Sequence, residues 1–295
     1  LILNRKQSMQ NYTGRISIVA LPIGNDLDIS NRAKLILEEA DVIAAEDTRI
    51  LKNLGQKLCI NMKQLISHHA HNETESLDGI KDLLASGKHI ALVSDAGTPN
   101  VSDPGFKLLR FCFENQVEIT ALPGASALTC SLSLNPIGGT DHYFGAFLPN
   151  KQSERLKKLN SLKVMTGICS KAVFFESPHR LIESLKDINA SLENPVLFIS
   201  RELTKTYESF YFDRAEILVK HFQENSPKGE FVISIDLSEL SSQVELSEDQ
   251  IRKQIKEQLL AGSSSKDIQK KLLDQSKLSK KEIYACLLYT SPSPR

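Results

Sequence analysis

Short apolar runs alternate with stretches of helical length and pattern from Ile16 onward, which restricts the chain to an α/β architecture. Ile16 to Leu21 reads as a strand, and Ser30 to Ala40 as a helix with Ala33, Leu35, Ile36, Leu37 and Ala40 on its apolar side. Val42 to Ala45, Ile90 to Val93 and Val117 to Leu122 read as further strands, and Glu75 to Ala85 as a helix. The next helix is expected to begin at Asp103-Pro104, a side-chain acceptor at the N-cap and a proline at N1, and another near Gly124. Strands spaced by helices of this length imply a largely parallel sheet covered on both faces.

From about His142 the pattern changes. Strands at Tyr143 to Leu148, Ala172 to Phe175, Val196 to Ser200, Ser209 to Phe212 and Phe231 to Asp236 are interleaved with helices at Gln152 to Leu162, Arg180 to Ala190 and Ala215 to Phe222. Too little chain separates two of the late strands for a long crossover, so this second sheet is expected to be mixed. The organisation expected is therefore two α/β domains, 14–138 and 139–240, hinged near Pro136 to Thr140 with a cleft between them. Residues 241–288 form a helical, helix-turn-helix-like appendage, with helices at 248–260, 266–274 and 280–288. It carries Lys266, Lys270, Lys271, Lys277, Lys280 and Lys281, a run that also suits a merely solvated face. Residues 1–13, ahead of or around Met9, read as extra sequence, and 289–295 resembles translated adapter sequence.

With 36 basic and 36 acidic residues, no global field draws the protein toward nucleic acid or an anionic membrane, so any polyanion must be held by a local patch. The five cysteines are scattered, without a CxxC pair or metal-ligand spacing, and read as reduced thiols; no metal is implied. No apolar run approaches a membrane span, and the expected compartment is the cytoplasm.

Five short segments follow apolar runs and read as loops at strand carboxyl ends: Pro22 to Asn25, Ser94 to Pro99, Ser102 to Gly105, Pro123 to Ala127 and Glu176 to Arg180. Ligands bind at that edge of an open α/β sheet, because irregular backbone and helix N-termini present free N–H groups there. The first loop has a single glycine, so neither G-x-G-x-x-G nor a P-loop is present and phosphate cradling is disfavoured. Asp95 could meet a cationic ligand group or accept loop N–H bonds. The small residues of Pro123-Gly124-Ala125-Ser126-Ala127 could admit a flat ligand or allow close helix-to-sheet packing.

Taken together with Ala44-Ala45-Glu46-Asp47-Thr48-Arg49, His71-Asn72-Glu73, Gly145-Ala146-Phe147-Leu148-Pro149, Arg201-Glu202-Leu203-Thr204-Lys205 and Lys228-Gly229-Glu230, these loops resemble the tetrapyrrole methylase superfamily. The resemblance is to its ribosomal RNA branch, which 2′-O-methylates a cytidine ribose in the decoding region of small-subunit RNA. It implies S-adenosylmethionine as cofactor, held by Pro22, Gly24, Asp95, Gly97, Thr98, Ser102, Pro123, Gly124 and Ala125, with Phe175, Glu176 and Gly229 closing over it. It also implies a homodimer acting on small-subunit ribosomal RNA or the assembled subunit.

Methyl transfer to a ribose hydroxyl is an in-line displacement, in which positioning dominates and a base must take the proton. Candidates for the base are Glu46, Asp47, His71 and Glu73, with Glu46 and His71 favoured. Asp47 with Arg49 also suits a structural ion pair, and Asn72 with Glu75 a helix start. Arg49, Arg180, Arg201 and Lys205 are candidates for RNA phosphate contacts. The alternatives are a precorrin-type tetrapyrrole methyltransferase of the same fold and a non-catalytic RNA-binding ribosome-assembly factor.

Overall fold

A computed structural model describes residues 12–240 without a break and, beyond them, residues 253, 255–259, 264, 265, 268, 269, 272, 283, 286 and 287. The first sheet comprises β1 (Arg15–Val19), β2 (Val42–Ala45), β3 (Leu65–Ser67), β4 (His89–Val93) and β5 (Glu118–Leu122). Its order is β3-β2-β4-β1-β5 and every pairing is parallel. Side chains alternate between the faces with the period of two that a strand imposes. Val19, Ile43, Ala45, Ala91 and Val93 pack with Ala33 and Leu37 of α1 (Asn31–Glu39) and Leu51 of α2 (Thr48–Leu58). Ile16, Ile18, Val42, Ala44, Ile90 and Leu92 pack against α3 (Glu73–Ala85) and α4 (Phe106–Glu114). Such burial, about 1.5–3 kcal/mol for each large apolar side chain, holds strands this short.

The second sheet comprises β6 (His142–Phe147), β7 (Lys171–Glu176), β8 (Val196–Arg201), β9 (Ser209–Arg214) and β10 (Phe231–Asp236), in the order β6-β7-β10-β8-β9. Only β6 and β7 run parallel, so the sheet is mixed, as expected. One face, with Ala172, Phe174, Leu197, Ile199, Ile233 and Ile235, is covered by α6 (Gln152–Leu162), α7 (Leu181–Ser191) and α8 (Ala215–Glu224). The other face presents Val173, Phe175 and Val232 to α5 (Ala127–Leu134). Ser200 Oγ donates to Ser131 Oγ of that helix at 2.9 Å. Thus α5 follows the last strand of the first sheet in sequence but packs on the second.

Several local expectations need correction. The first strand ends at Val19, and Leu21 instead forms an isolated bridge with Gly97. Leu35 is exposed rather than on the buried side of α1. Two elements were not anticipated: α2, whose only buried residues are Leu51 and Gly55, and the three-residue β3. The helix expected at Asp103-Pro104 begins at Phe106 with Gly105 as N-cap. Its first amides, of Gly105 and Lys107, donate to Glu73 Oε1 at 3.3 and 3.1 Å, so a distant carboxylate does the capping and Asp103 stays in the loop. Asn72 precedes α3 but does not cap it through its side chain. Its Oδ1 accepts from the His69 amide at 2.7 Å and its Nδ2 donates to the Ser67 carbonyl at 3.1 Å. The helix expected near Gly124 starts at Ala127.

In the C-terminal region the described residues Ile255, Leu259, Ile268, Leu272, Ile283, Cys286 and Leu287 are helical and share one apolar cluster. The remainder of the three helices expected there, the six lysines, residues 1–11 and the tail 289–295 lie outside the described residues. Among the described residues no helix is long and apolar enough to cross a membrane.

Candidate active site

The carboxyl ends of β1, β4 and β5 are tied to one another by their own loops. Leu21 and Gly97 exchange two backbone hydrogen bonds, at 2.9 and 3.0 Å, which Gly97 permits by adopting φ +75°. Thr98 Oγ1 donates to the Ala125 carbonyl at 3.0 Å, joining the loop after β4 to that after β5. A Cβ on Gly124 would lie 2.7 Å from that of Ala20, so this glycine is required for packing.

A cavity of about 440 Å³ lies above these loops, between the two sheets. Its floor is made by Ile23, Asp95, Gly97, Thr98, Ser102 and Asp103, and Ser126 and Ala127 open α5 beside it. The second sheet supplies Phe147, Phe175, Glu176, Leu203, Glu230 and Val232. The two sides also touch outside the cavity: the Asn25 amide donates to Thr204 Oγ1 at 3.1 Å, and Gly24 leaves no room for a Cβ against the Lys205 stem. Of the twelve residues expected around a cofactor, Asp95, Gly97, Thr98, Ser102, Phe175 and Glu176 line the cavity. Pro22 and Gly24 belong to the β1 loop that meets Lys205, Pro123, Gly124 and Ala125 to the strap beneath, and Gly229 (φ +89°) packs on Glu202.

Carboxylates gather on the floor. Asp95 Oδ1 accepts from the Asp47 amide at 2.8 Å, which pins the loop after β2 against the loop after β4. Burial pushes the Glu46 carboxyl up, the Asp95 carboxylate adds to that, and His69 opposes it. Asp103 is pushed up to about 6, first by burial, then by Glu46 and Asp95, against a hydrogen bond from Ser94. Among the described residues, none of Glu46, Asp95 and Asp103 forms an ion pair with lysine or arginine. The floor is therefore acidic and unpaired, whereas the carboxylates of the opposite wall, Glu176 and Glu230, are matched by Arg180 and Lys205.

The other expected residues are placed as follows. Glu46 stands at the margin of the cavity, half-buried, within electrostatic reach of Asp95 and Asp103. Asp47 caps α2 and takes two hydrogen bonds from the Arg49 guanidinium, at 3.0 and 2.7 Å, which hold its carboxyl down at about 2. His71 is exposed, its ring edge-on to that of His69 at 6.0 Å, and it is His69 whose charge acts on Glu46. Glu73 is spent on the α4 cap. Among the basic candidates, Arg49 is 87% exposed. Arg180 instead donates to Glu176 Oε2 at 3.0 Å, to the Leu148 carbonyl at 2.5 Å and to Asn150. Arg201 Nε donates to the Lys228 carbonyl, and Lys205 pairs with Glu202 and Glu230, both at 2.9 Å.

Three residues of this region escaped the sequence reading. Asp103 lies in one of the five loops expected at the ligand edge, but that residue itself is expected there only to cap the next helix; its Ser-Asp-Pro-Gly turn repeats the chemistry of Ser94-Asp95 eight residues earlier. His69 lies two residues before the histidine favoured, with no local feature to separate them. Phe147 lay inside a quoted motif, and nothing in its neighbours shows that it leaves the core.

The profile of the family described as tetrapyrrole (corrin/porphyrin) methylases matches residues 15–218. The chain is 35% identical over 272 residues to ribosomal RNA small subunit methyltransferase I of Synechocystis sp., covering 92% of this chain and 96% of that one. It is 39% identical over 220 residues to the enzyme of the same name from Thermotoga maritima, covering 75% and 97%. Among solved structures, uroporphyrin-III C-methyltransferase from Thermus thermophilus complexed with S-adenosyl homocysteine is similar in fold, with a TM-score of 0.52 at 16% identity over 77% of this chain and 98% of that one.

Proposed function

The chain belongs to the tetrapyrrole methylase family, and on that footing we propose that it transfers the methyl group of S-adenosylmethionine to small-subunit ribosomal RNA, at the 2′-hydroxyl of a cytidine. The observation that carries this reading is the uncompensated acidic floor of the cavity between the sheets. A cavity with such a floor suits a ligand bearing cationic sulfonium and ammonium groups, since burying carboxylates without a partner is otherwise costly. The RNA substrate follows from the relatives named above. The 2′-position of a cytidine follows from the resemblance carried by Glu46 to Arg49 and Arg201 to Lys205.

The residues fit the donor in size and charge. S-adenosylmethionine, when bound, supplies an electrophilic methyl group. Asp95, Asp103 and the small residues Gly97, Thr98 and Ser102 would hold it, with Phe175 and the backbone around Glu176 as the opposing wall. Glu46 would accept the hydroxyl proton, a role supported by burial and the neighbouring Asp95 carboxylate, which keep its affinity for a proton above that of a free glutamate. Asp95 adds to the effect of burial on that affinity, and the Asp47 amide, held by Asp95, fixes the loop from which Glu46 projects. Arg49, in the first turn of α2 and paired with Asp47, is the best-exposed of the candidate phosphate contacts. We take 14–138 and 139–240 as the two domains in chain order, with α5 of the first seated on the sheet of the second, the homodimer as the working assembly, and the cytoplasm as the place where ribosomal subunits meet the enzyme.

Incubation with labelled S-adenosylmethionine and small ribosomal subunits lacking the modification, followed by nuclease digestion, tests the reading. Label in 2′-O-methylcytidine supports it; label on a base, or none in RNA, overturns it.

A further inference from the structure

Strand β6 is one residue too long for its partner. Phe144 pairs with Val173 and Phe147 with Phe175, so three steps along β6 match two along β7. The surplus is taken up by a bulge in which Ala146 adopts φ +56°, a left-handed conformation that an L side chain enters at a cost. Gly145 is forced inside the bulge, because a Cβ there would lie 2.1 Å from the Phe174 ring. Without the bulge, Phe144 and Phe147 would point to opposite faces of the sheet. With it both point the same way as Phe175, whose ring they meet edge-on at 5.0 and 5.6 Å. Phe144 is covered by α5, whereas Phe147 runs past the end of that contact and remains 52% exposed on the cavity wall.

A large aromatic side chain is thus held rigidly at the mouth of an acidic cavity by strained backbone, with little burial in return. The neighbouring chain is fixed too, since Arg180 holds the Leu148 carbonyl and Asn150. We propose that Phe147 is the stacking platform for the nucleobase of the target nucleotide, the face against which an extruded pyrimidine lies while its ribose meets the methyl donor. Unpaired bases in RNA are recognised by stacking on aromatic side chains of this kind, and enzymes that modify a nucleotide draw it out of its stack. The proposal rests on the RNA-methylation reading above and adds the residue that would receive the base.

The test combines kinetics with cross-linking. Phe147→Ala and Phe147→Leu remove the π face, and Phe147→Trp restores one; all three sit at an exposed position where folding is not at stake. The Ala and Leu variants are expected to lose about ten- to a hundredfold in kcat/KM for the small subunit, with Trp recovering most of it. Their calorimetric Kd for S-adenosylmethionine should stay within about threefold of the parent's, by the same logic. A Kd weakened as much as kcat/KM would make Phe147 a wall for the cofactor's adenine and overturn the proposal. So would unchanged kinetics in an active enzyme, whereas a parent protein that methylates no small-subunit RNA overturns the underlying reading instead. Independently, small-subunit RNA with 5-iodocytidine at the modified position should photo-cross-link to Phe147, and a cross-link confined to other residues also overturns the proposal.

Discussion

Asp95 accepts the backbone amide of Asp47 at 2.8 Å, so one carboxylate both lines the cavity and fixes the loop that presents Glu46. Its two tasks are separable by mutation. Asp95→Asn keeps an acceptor for the amide and loses the charge, so affinity for S-adenosylmethionine should fall about tenfold with kcat nearly retained. Asp95→Ala loses both, orphaning a backbone donor at about 1–3 kcal/mol and freeing the loop, so kcat should fall as well. Calorimetric binding beside single-turnover transfer reads the difference; equal kcat in the two variants would refute the division of roles.

Glu46→Gln should lower kcat at least about a hundredfold, as removal of a general base does, with the Kd for the cofactor little changed. A carboxyl whose pKa is raised is ionised only at higher pH. The acid limb of kcat/KM for S-adenosylmethionine, which reports the free enzyme, should therefore lie above the ordinary range of a glutamate, because burial first and the Asp95 carboxylate second raise Glu46. Asp95→Asn removes the carboxylate that adds to that rise and should move the limb to lower pH.

Asp103 also makes a stability prediction. Its folded pKa, about 6, lies above the ordinary 3.8, so the folded state binds more protons in that window and stability falls as pH rises through it. Asp103→Asn should accordingly stabilise the protein above pH 6 and flatten the dependence of Tm on pH between 4 and 6. The full shift corresponds to about 3 kcal/mol, but the group is partly exposed and water screens it, so about 1 kcal/mol is expected. Thermal melts across pH without ligand measure it, and a lower Tm at pH 8 would contradict the assignment.

Glu176 is wholly inaccessible and is satisfied by Arg180, by Ser184 Oγ at 2.6 Å and by the Ser177 amide at 2.7 Å. Arg180→Ala would leave that carboxylate buried without its cation, a loss of about 3–5 kcal/mol, whereas the double variant Arg180→Ala with Glu176→Gln should recover much of it. Were Arg180 chiefly a phosphate contact, the single variant would weaken RNA binding and leave the urea midpoint where it was.

All strands but the three-residue β3 were legible because they are apolar runs bounded by turn residues; strands Val42–Ala45 and Phe231–Asp236 and helix Gln152–Leu162 have the expected bounds. Helix α2 was not anticipated although its sequence carries the signal: Leu51, Leu54 and Leu58 recur at helical spacing and pack on the core of the first sheet. The start of α4 misled for a physical reason: Asp103-Pro104 has local cap chemistry, but Glu73, thirty-two residues from Gly105 in sequence, takes the cap and leaves Asp103 to the cavity. The floor of the site was legible as loops, whereas the coupling of Glu46 with Asp95 and Asp103 depends on the ends of β2 and β4 meeting, which no single window of sequence contains.

Helix α5 belongs to one sheet by descent along the chain and to the other by contact. The connector 135–141 is consequently a poor place to divide the protein, whatever its sequence suggests. A chimera joined there to a relative would set a borrowed β-sheet against a native helix, mismatching Ser131 with its Ser200 partner and the whole apolar seam around Val173 and Val232. A junction ahead of Ser126 keeps that seam with a single parent, and so the unit that can be inherited or exchanged intact begins one helix earlier than the visible linker.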